Sequence, residues 1–160
     1  MRVLSQDPGV RLIVYCDGAA RGNPGPAGIG VVITREDGTE VDRIAEGIGV
    51  ATNNVAEYRA AIAGLSRAAE LGAKEVLLRS DSRLLVEQLS GRFRVKNPTL
   101  QRLHTEARKL LSGFARPSIE HIRRESNKEA DGAANEGVDA WLAGEGADYV
   151  PPDPAPRLWE

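Results

Sequence analysis

The chain has 160 residues, 41% hydrophobic and 28% charged, which suits one domain with its own core. A single cysteine, Cys16, excludes a disulfide framework and a cysteine-based zinc site, and no window is long or apolar enough to span a bilayer. The net charge of −2 gives no sign of a polyanionic partner, but its distribution does: residues 79–124 carry 11 Lys/Arg against 4 Asp/Glu, between acidic flanks. That pattern is expected if one face meets a nucleic acid, and equally of a solvated basic helix face. The N-terminal MRVLSQDPGV lacks the apolar stretch of a signal peptide, so a cytoplasmic protein with no membrane partner is expected.

Residues 1–9 read as an irregular lead-in. Leu12 to Cys16 is an apolar run that ends on one carboxylate, Asp17. A Gly/Pro/Asn-rich loop, Gly22 to Gly28, leads to a second apolar run, Ile29 to Ile33. Asp37-Gly38 is a hairpin signal into a third strand with Val41, Ile44 and Ile48 as apolar positions, so the three strands predict an antiparallel meander. Thr52 to Gly72 is the clearest helix. Thr52 or Asn53 caps it, Val55, Tyr58, Ile62, Leu65 and Ala69 form one apolar stripe, and Gly72 ends it. Glu75 to Arg79 is a short strand buried on both faces, and Ser80-Asp81-Ser82 opens a second helix to Leu89.

Gly91 to Pro98, GRFRVKNP, is a basic connector into a third helix ending near Leu111. Ser118 to Ile122 is a fifth strand. Ser126 or Asn127 caps a fourth helix to about Leu142, and 143–160 is a Pro-rich acidic tail. Domain 10–142 is thus α/β, with strands first and then strands alternating with helices, which predicts a mixed sheet flanked by helices.

Four acidic residues lie near element ends: Asp17, Glu57, Asp81 and Asp131. Glu57 and Asp131 each have a structural explanation as partners of a helix dipole, and Asp81 has one as a cap. Asp17 has none, because no helix begins beside it. If Asp17 and Asp81 end neighbouring parallel strands, their carboxylates meet, and carboxylates at one spot repel unless a cation bridges them. All-oxygen ligands suit Mg²⁺ or Mn²⁺, and the two histidines, His104 and His121, lack metal-ligand spacing. Such a site serves in-line phosphoryl chemistry, often with two ions. The glycine loop has no Gly-Lys-Ser/Thr and enters a strand, so it is no phosphate loop; its glycines allow a tight turn and close approach of a ligand. No Gly-x-Ser-x-Gly elbow occurs, and Cys16 has no His partner and reads as a small core residue.

Tyr15-Cys16-Asp17-Gly18, Gly22-Asn23-Pro24-Gly25-Pro26-Ala27-Gly28, Thr52-Asn53-Asn54-Val55-Ala56-Glu57-Tyr58, Ser80-Asp81-Ser82 and Asn127-Lys128-Glu129-Ala130-Asp131 occur in the order and spacing of one family. From about Val10 to Leu142 the chain resembles ribonuclease H type 1. The resemblance implies a five-stranded sheet, three strands antiparallel and two parallel. It implies a hydrolase, an endonuclease that cuts the RNA strand of RNA–DNA hybrids and leaves 5′-phosphate and 3′-hydroxyl ends. It places two ions, Mg²⁺ or Mn²⁺, on Asp17, Glu57, Asp81 and Asp131, with Gly18 beside them. Asp17 would bridge both ions, Asp131 would help hold the one that activates water, and Glu57 and Asp81 the one at the leaving oxygen.

By the same resemblance Asn23, Asn53 and Asn54 face the minor groove and its 2′-hydroxyls, and Thr52 matches a residue that holds a DNA-strand phosphate. Arg83, Arg92, Arg94, Lys96 and Arg124 are the remaining substrate contacts expected, on a monomer. Two departures stand out. The connector from Ile122 to Asn127 is short and lacks the histidine that bacterial members carry there, with Arg124 or Glu125 as its stand-in. The basic protrusion of some members is missing, with Arg92, Arg94 and Lys96 in its place, so weaker and salt-sensitive binding is expected. Two other readings are a non-catalytic hybrid- or RNA-binding module and another nuclease of the same fold. The complete carboxylate set argues against the first, and the Asn53-Asn54 pair with the Gly-Asn-Pro-Gly loop against the second.

Overall fold

Strand β1 (Arg11–Ala20) is the centre of the sheet. The computed structural model describes residues 10–152; the lead-in expected over 1–9 and residues 153–160 of the tail lie outside the described residues. β1 pairs antiparallel with β2 (Gly25–Thr34), which pairs antiparallel with β3 (Glu40–Ala51). On its other side β1 pairs parallel with β4 (Glu75–Ser80), and β4 pairs parallel with β5 (Arg116–His121). The order is β3-β2-β1-β4-β5, the five-stranded mixed sheet expected. The helices are α1 (Asn53–Glu70), α2 (Arg83–Leu89), α3 (Pro98–Ser112) and α4 (Lys128–Ala143), with a short 3₁₀ turn over Arg124–Ser126. No helix among the described residues is long and apolar enough to cross a membrane.

Alternation along the strands decides which helix covers which face. Gly64 of α1 packs on Val14 and Val31, whereas Gly30, the neighbour of Val31, meets Ala130 and Ala134 of α4. Adjacent strand residues point to opposite faces, so α1 and α4 cover opposite faces of the sheet. The α1 face builds the core: Leu12, Val14, Cys16, Leu78, Tyr58, Leu65, Leu85, Leu89 and Leu111 are buried together there with Phe114.

Several expectations shift. β1 does not close at Asp17 but runs on to Ala20, because β2 starts at Gly25 and keeps pairing with it as far as Ala20↔Ala27. What stops near Asp17 is the parallel ladder, whose last pair is Cys16↔Ser80. The loop is therefore shorter than the sequence implies, and Gly25 to Gly28 are strand. Gly22, with φ of 101°, serves the turn. Gly28 instead serves packing, since a Cβ there would sit 2.3 Å from the Ala134 carbonyl oxygen of α4. β5 begins earlier than expected, at Arg116, and contains Pro117; among the described residues it pairs only with β4, and an edge strand tolerates the missing N–H. Beyond α4, Tyr149 comes back to within 6.2 Å of the Trp141 ring, so the first part of the tail is folded over the helix end.

Candidate active site

Asp17 and Asp81 meet because of strand register. Cys16 and Ser80 are partners in the parallel ladder, and the next residue on each strand is an aspartate. Asp81 is not the cap its SDS context suggested. Ser82 caps α2, its Oγ accepting from Leu85 N–H at 3.2 Å, while Ser80 Oγ accepts from Ser82 N–H at 3.0 Å. The two serines satisfy the helix start and leave the Asp81 carboxylate free of any capping bond.

Glu57 comes from α1, one turn past its capped end. Thr52 Oγ1 accepts from Val55 N–H at 3.2 Å, and the first turn holds no acidic residue, so the dipole explanation for Glu57 does not apply. The Glu57 carboxylate instead accepts from Gly18 N–H at 3.1 Å. Gly18 is what makes this approach possible: a Cβ there would lie 2.2 Å from the Ala56 carbonyl carbon. One carboxylate oxygen each from Asp17, Glu57 and Asp81 lie within 4.8 Å of one another.

Asp131 arrives from the opposite face. It follows Ala130, whose carbonyl oxygen would sit 1.9 Å from a Cβ on Gly30, and Gly30 is the strand partner of Asp17. The Asp131 carboxyl lies near enough to Asp17 to help raise its pKa, and it lines the same cleft. All four acidic side chains line one open cleft of about 400 Å³, with Gly18, Asn53, Asn54 and Arg124 on its rim.

The electrostatics are those of anions crowded out of water. Burial pushes the Asp17 carboxyl up to about 10, helped by the Glu57 charge, the Asp131 carboxyl and the Asp81 charge. Burial likewise raises Glu57 to about 7, against the lowering effect of Asp17 and of Gly18 N–H; Arg124 also opposes the rise. Glu57 Oε2 is buried and has no hydrogen-bond partner among the described residues. A cluster of carboxylates with an orphaned buried oxygen fits a hard divalent cation, which would replace protons as the neutralising charge. Cys16 stays outside this chemistry: it is fully buried, its Sγ contacts the Arg79 carbonyl, and burial pushes its thiol up.

The other expected residues fall into two groups. Asn23 Oδ1 accepts from Asn53 N–H at 3.0 Å, which joins the β1–β2 turn to the start of α1; Asn53 and Asn54 line the cleft, with Asn23 and Thr52 next to them through this bond and the chain. Arg83, Arg92, Arg94 and Lys96 do not line the carboxylate cleft. Arg92 is bound by both oxygens of Glu87, at 2.5 and 3.2 Å, and Arg83 lies 3.9 Å from the same residue. The connector that carries Arg92, Arg94 and Lys96 is firmly held: buried Gln88 accepts from Tyr58 OH at 2.6 Å and donates to the Arg94 carbonyl at 3.1 Å. Phe93 stands exposed between Arg92 and Arg94. Sequence reasoning missed Asn127 at the site. It read as a helix cap, but its Nδ2 donates to the Cys16 carbonyl at 3.0 Å and to Asp81 Oδ2 at 3.3 Å. The signal was ambiguous, since an asparagine before a helix is first of all a cap.

Residues 15–137 match the family described as reverse transcriptase-like. Ribonuclease HI of Halobacterium salinarum is 47% identical over 137 residues, covering 86% of this chain and 69% of that protein. The bifunctional protein Rv2228c of Mycobacterium tuberculosis is 46% identical over 143 residues, but the chain spans only 39% of its length. Among solved structures, that of RNase H1 from Halobacterium salinarum superposes with a TM-score of 0.79, covering 81% of this chain and 98% of that one. LC11-RNase H1 in complex with an RNA/DNA hybrid, 43% identical, gives 0.78 over 82% and 99%. On this identity and this shared sheet, the chain belongs to the ribonuclease HI family.

Proposed function

We propose that the chain is a metal-dependent endoribonuclease that hydrolyses the RNA strand of RNA–DNA hybrids, leaving 5′-phosphate and 3′-hydroxyl ends. The observation that carries this reading is the carboxylate group, with oxygens of Asp17, Glu57 and Asp81 within 4.8 Å of one another and Asp131 alongside. A pure binding module gains nothing from such mutually repelling groups. The hybrid as substrate is supported by the 43% identical LC11 protein, which was solved with one.

Asp17, Glu57, Asp81 and Asp131 would hold two ions, Mg²⁺ or Mn²⁺. Bound there, the ions supply an activated water and charge stabilisation at the departing 3′-oxygen. The chain's own groups do the rest. Asp17, between the two faces of the sheet, fixes where Glu57 and Asp131 converge. Asn23, Asn53 and Asn54 read 2′-hydroxyls across the shallow minor groove, since an amide both donates and accepts without demanding a base sequence. Thr52 takes a DNA-strand phosphate at the α1 N-terminus while its Oγ1 caps the helix. Arg124 offers a cation at the cleft rim where other members carry a histidine. All these groups come from one chain, so a monomer suffices.

The test is direct. Labelled RNA–DNA hybrid, double-stranded RNA and duplex DNA are incubated with the protein and Mg²⁺ or Mn²⁺, and 5′ and 3′ ends are mapped. Cleavage confined to the RNA strand of the hybrid, and lost in Asp17→Asn, is expected. An intact hybrid, or undiminished cleavage by Asp17→Asn, overturns the proposal.

A further inference from the structure

Asn127 occupies the N-cap position of α4, yet its side chain makes no capping bond. The same residue type at the same position of α3, Asn97, does make one: its Oδ1 accepts from Leu100 N–H at 3.1 Å. Asparagine is among the best N-cap residues, so Asn127 forgoes a local bond open to it. Its amide is committed elsewhere. The residue is 1% exposed, and Nδ2 uses both protons, one on the Cys16 carbonyl and one on Asp81 Oδ2. Its Oδ1 is buried with no hydrogen-bond partner among the described residues. A buried amide retained only for the fold is normally paired on both sides.

The partners it does have are telling. Cys16 is the residue before Asp17, and Asp81 is its counterpart on β4. The Asn127 carbonyl accepts from Asp131 N–H at 3.0 Å, in the first turn of the helix that carries Asp131. One residue therefore ties together the carriers of three of the four carboxylates. We propose that Asn127 is a positioning residue that fixes the Asp81 carboxylate against Asp17 for cation binding. This rests on the carboxylate cation site proposed above. An amide is the side chain this place requires. Aspartate would set an oxygen against two acceptors, and leucine would release both. Holding Asp81 by one oxygen restricts its rotation, the usual effect of a group that hydrogen-bonds a ligating carboxylate.

The experiment uses Asn127→Ser and Asn127→Ala in the full chain. Mn²⁺ is titrated calorimetrically without substrate, folding is followed by circular dichroism in EDTA, and kcat and KM are measured on the hybrid. Serine caps α4 as well as asparagine could, but does not reproduce the two-armed donor. Asn127→Ser is therefore expected to fold like wild type and to bind Mn²⁺ roughly tenfold or more weakly. Its kcat should fall by a similar factor, with KM for the hybrid within about twofold. Wild-type Mn²⁺ affinity in a folded variant overturns the proposal, as does loss of fold in both variants, which would assign Asn127 to the fold alone. Wild-type protein that binds Mn²⁺ but leaves the hybrid intact overturns the ribonuclease reading only, and the Mn²⁺ affinities still decide the role of Asn127. Absence of Mn²⁺ binding by wild type overturns both.

Discussion

Replacing Asp17 by asparagine should stabilise the metal-free protein while abolishing its activity. Asp17 is 5% exposed, and burial together with Glu57, Asp131 and Asp81 holds its carboxyl near 10, against 3.8 for a free aspartate. At neutral pH the folded protein keeps a proton that the unfolded chain releases. The sign follows: a raised folded-state pKa contributes stability that is intact below about pH 4 and is lost as pH rises toward 10. Each pH unit in that window costs about 1.4 kcal/mol, so at pH 7 the cost is on the order of 4 kcal/mol. Asparagine keeps the shape and needs no proton. In urea unfolding with EDTA, Asp17→Asn should exceed wild type by up to about 4 kcal/mol at pH 7. The gap should widen by about 1.4 kcal/mol per unit between roughly pH 5 and pH 8. Adding Mg²⁺ should raise wild type and leave the variant nearly unmoved, because only ligands that bind the folded state stabilise it. A variant no more stable than wild type in EDTA, or a gap independent of pH, would refute the reasoning.

Gly30→Ala places a Cβ 1.9 Å from the Ala130 carbonyl oxygen, so α4 must shift; stability should fall by about 1–3 kcal/mol and hybrid cleavage by roughly a hundredfold, read by urea melts and initial rates. Thr52→Ala removes the acceptor for Val55 N–H and should cost about 1 kcal/mol in the same melts. Combining Arg94→Ala with Lys96→Ala should raise KM with little change in kcat. The log–log dependence of binding on salt should flatten by about one for each phosphate no longer neutralised.

Much of this is legible in the order of residues alone. The alternation of apolar runs, the Asp37-Gly38 turn and the stripe from Val55 to Ala69 place all five strands and the four helices. The four acidic residues can be named because they stand in recurrent motifs, but their convergence depends on register, Cys16 against Ser80, which no local pattern encodes. Glycines mislead for a related reason. Gly25 and Gly28 signal a loop by composition, and only the approach of α4 to β2 reveals that Gly28 is a packing surface inside a strand. Asn127 is hidden behind a role to which it is equally suited. The basic residues of the connector are visible, but the engagement of Arg92 by Glu87 is not.

Gly18 against Ala56 and Gly30 against Ala130 bring main chain onto main chain on the two faces of the sheet. At these points no side chain lies between strand and helix to change rotamer and absorb a displacement. The spacing of the acidic groups is then fixed by the thickness of the backbone itself, the least compressible part of the interior. Such a site should not soften ahead of the rest of the molecule. Cleavage rate should climb with temperature until global melting and then fail together with it, and inactivation well below the melting temperature would show that the centre opens on its own.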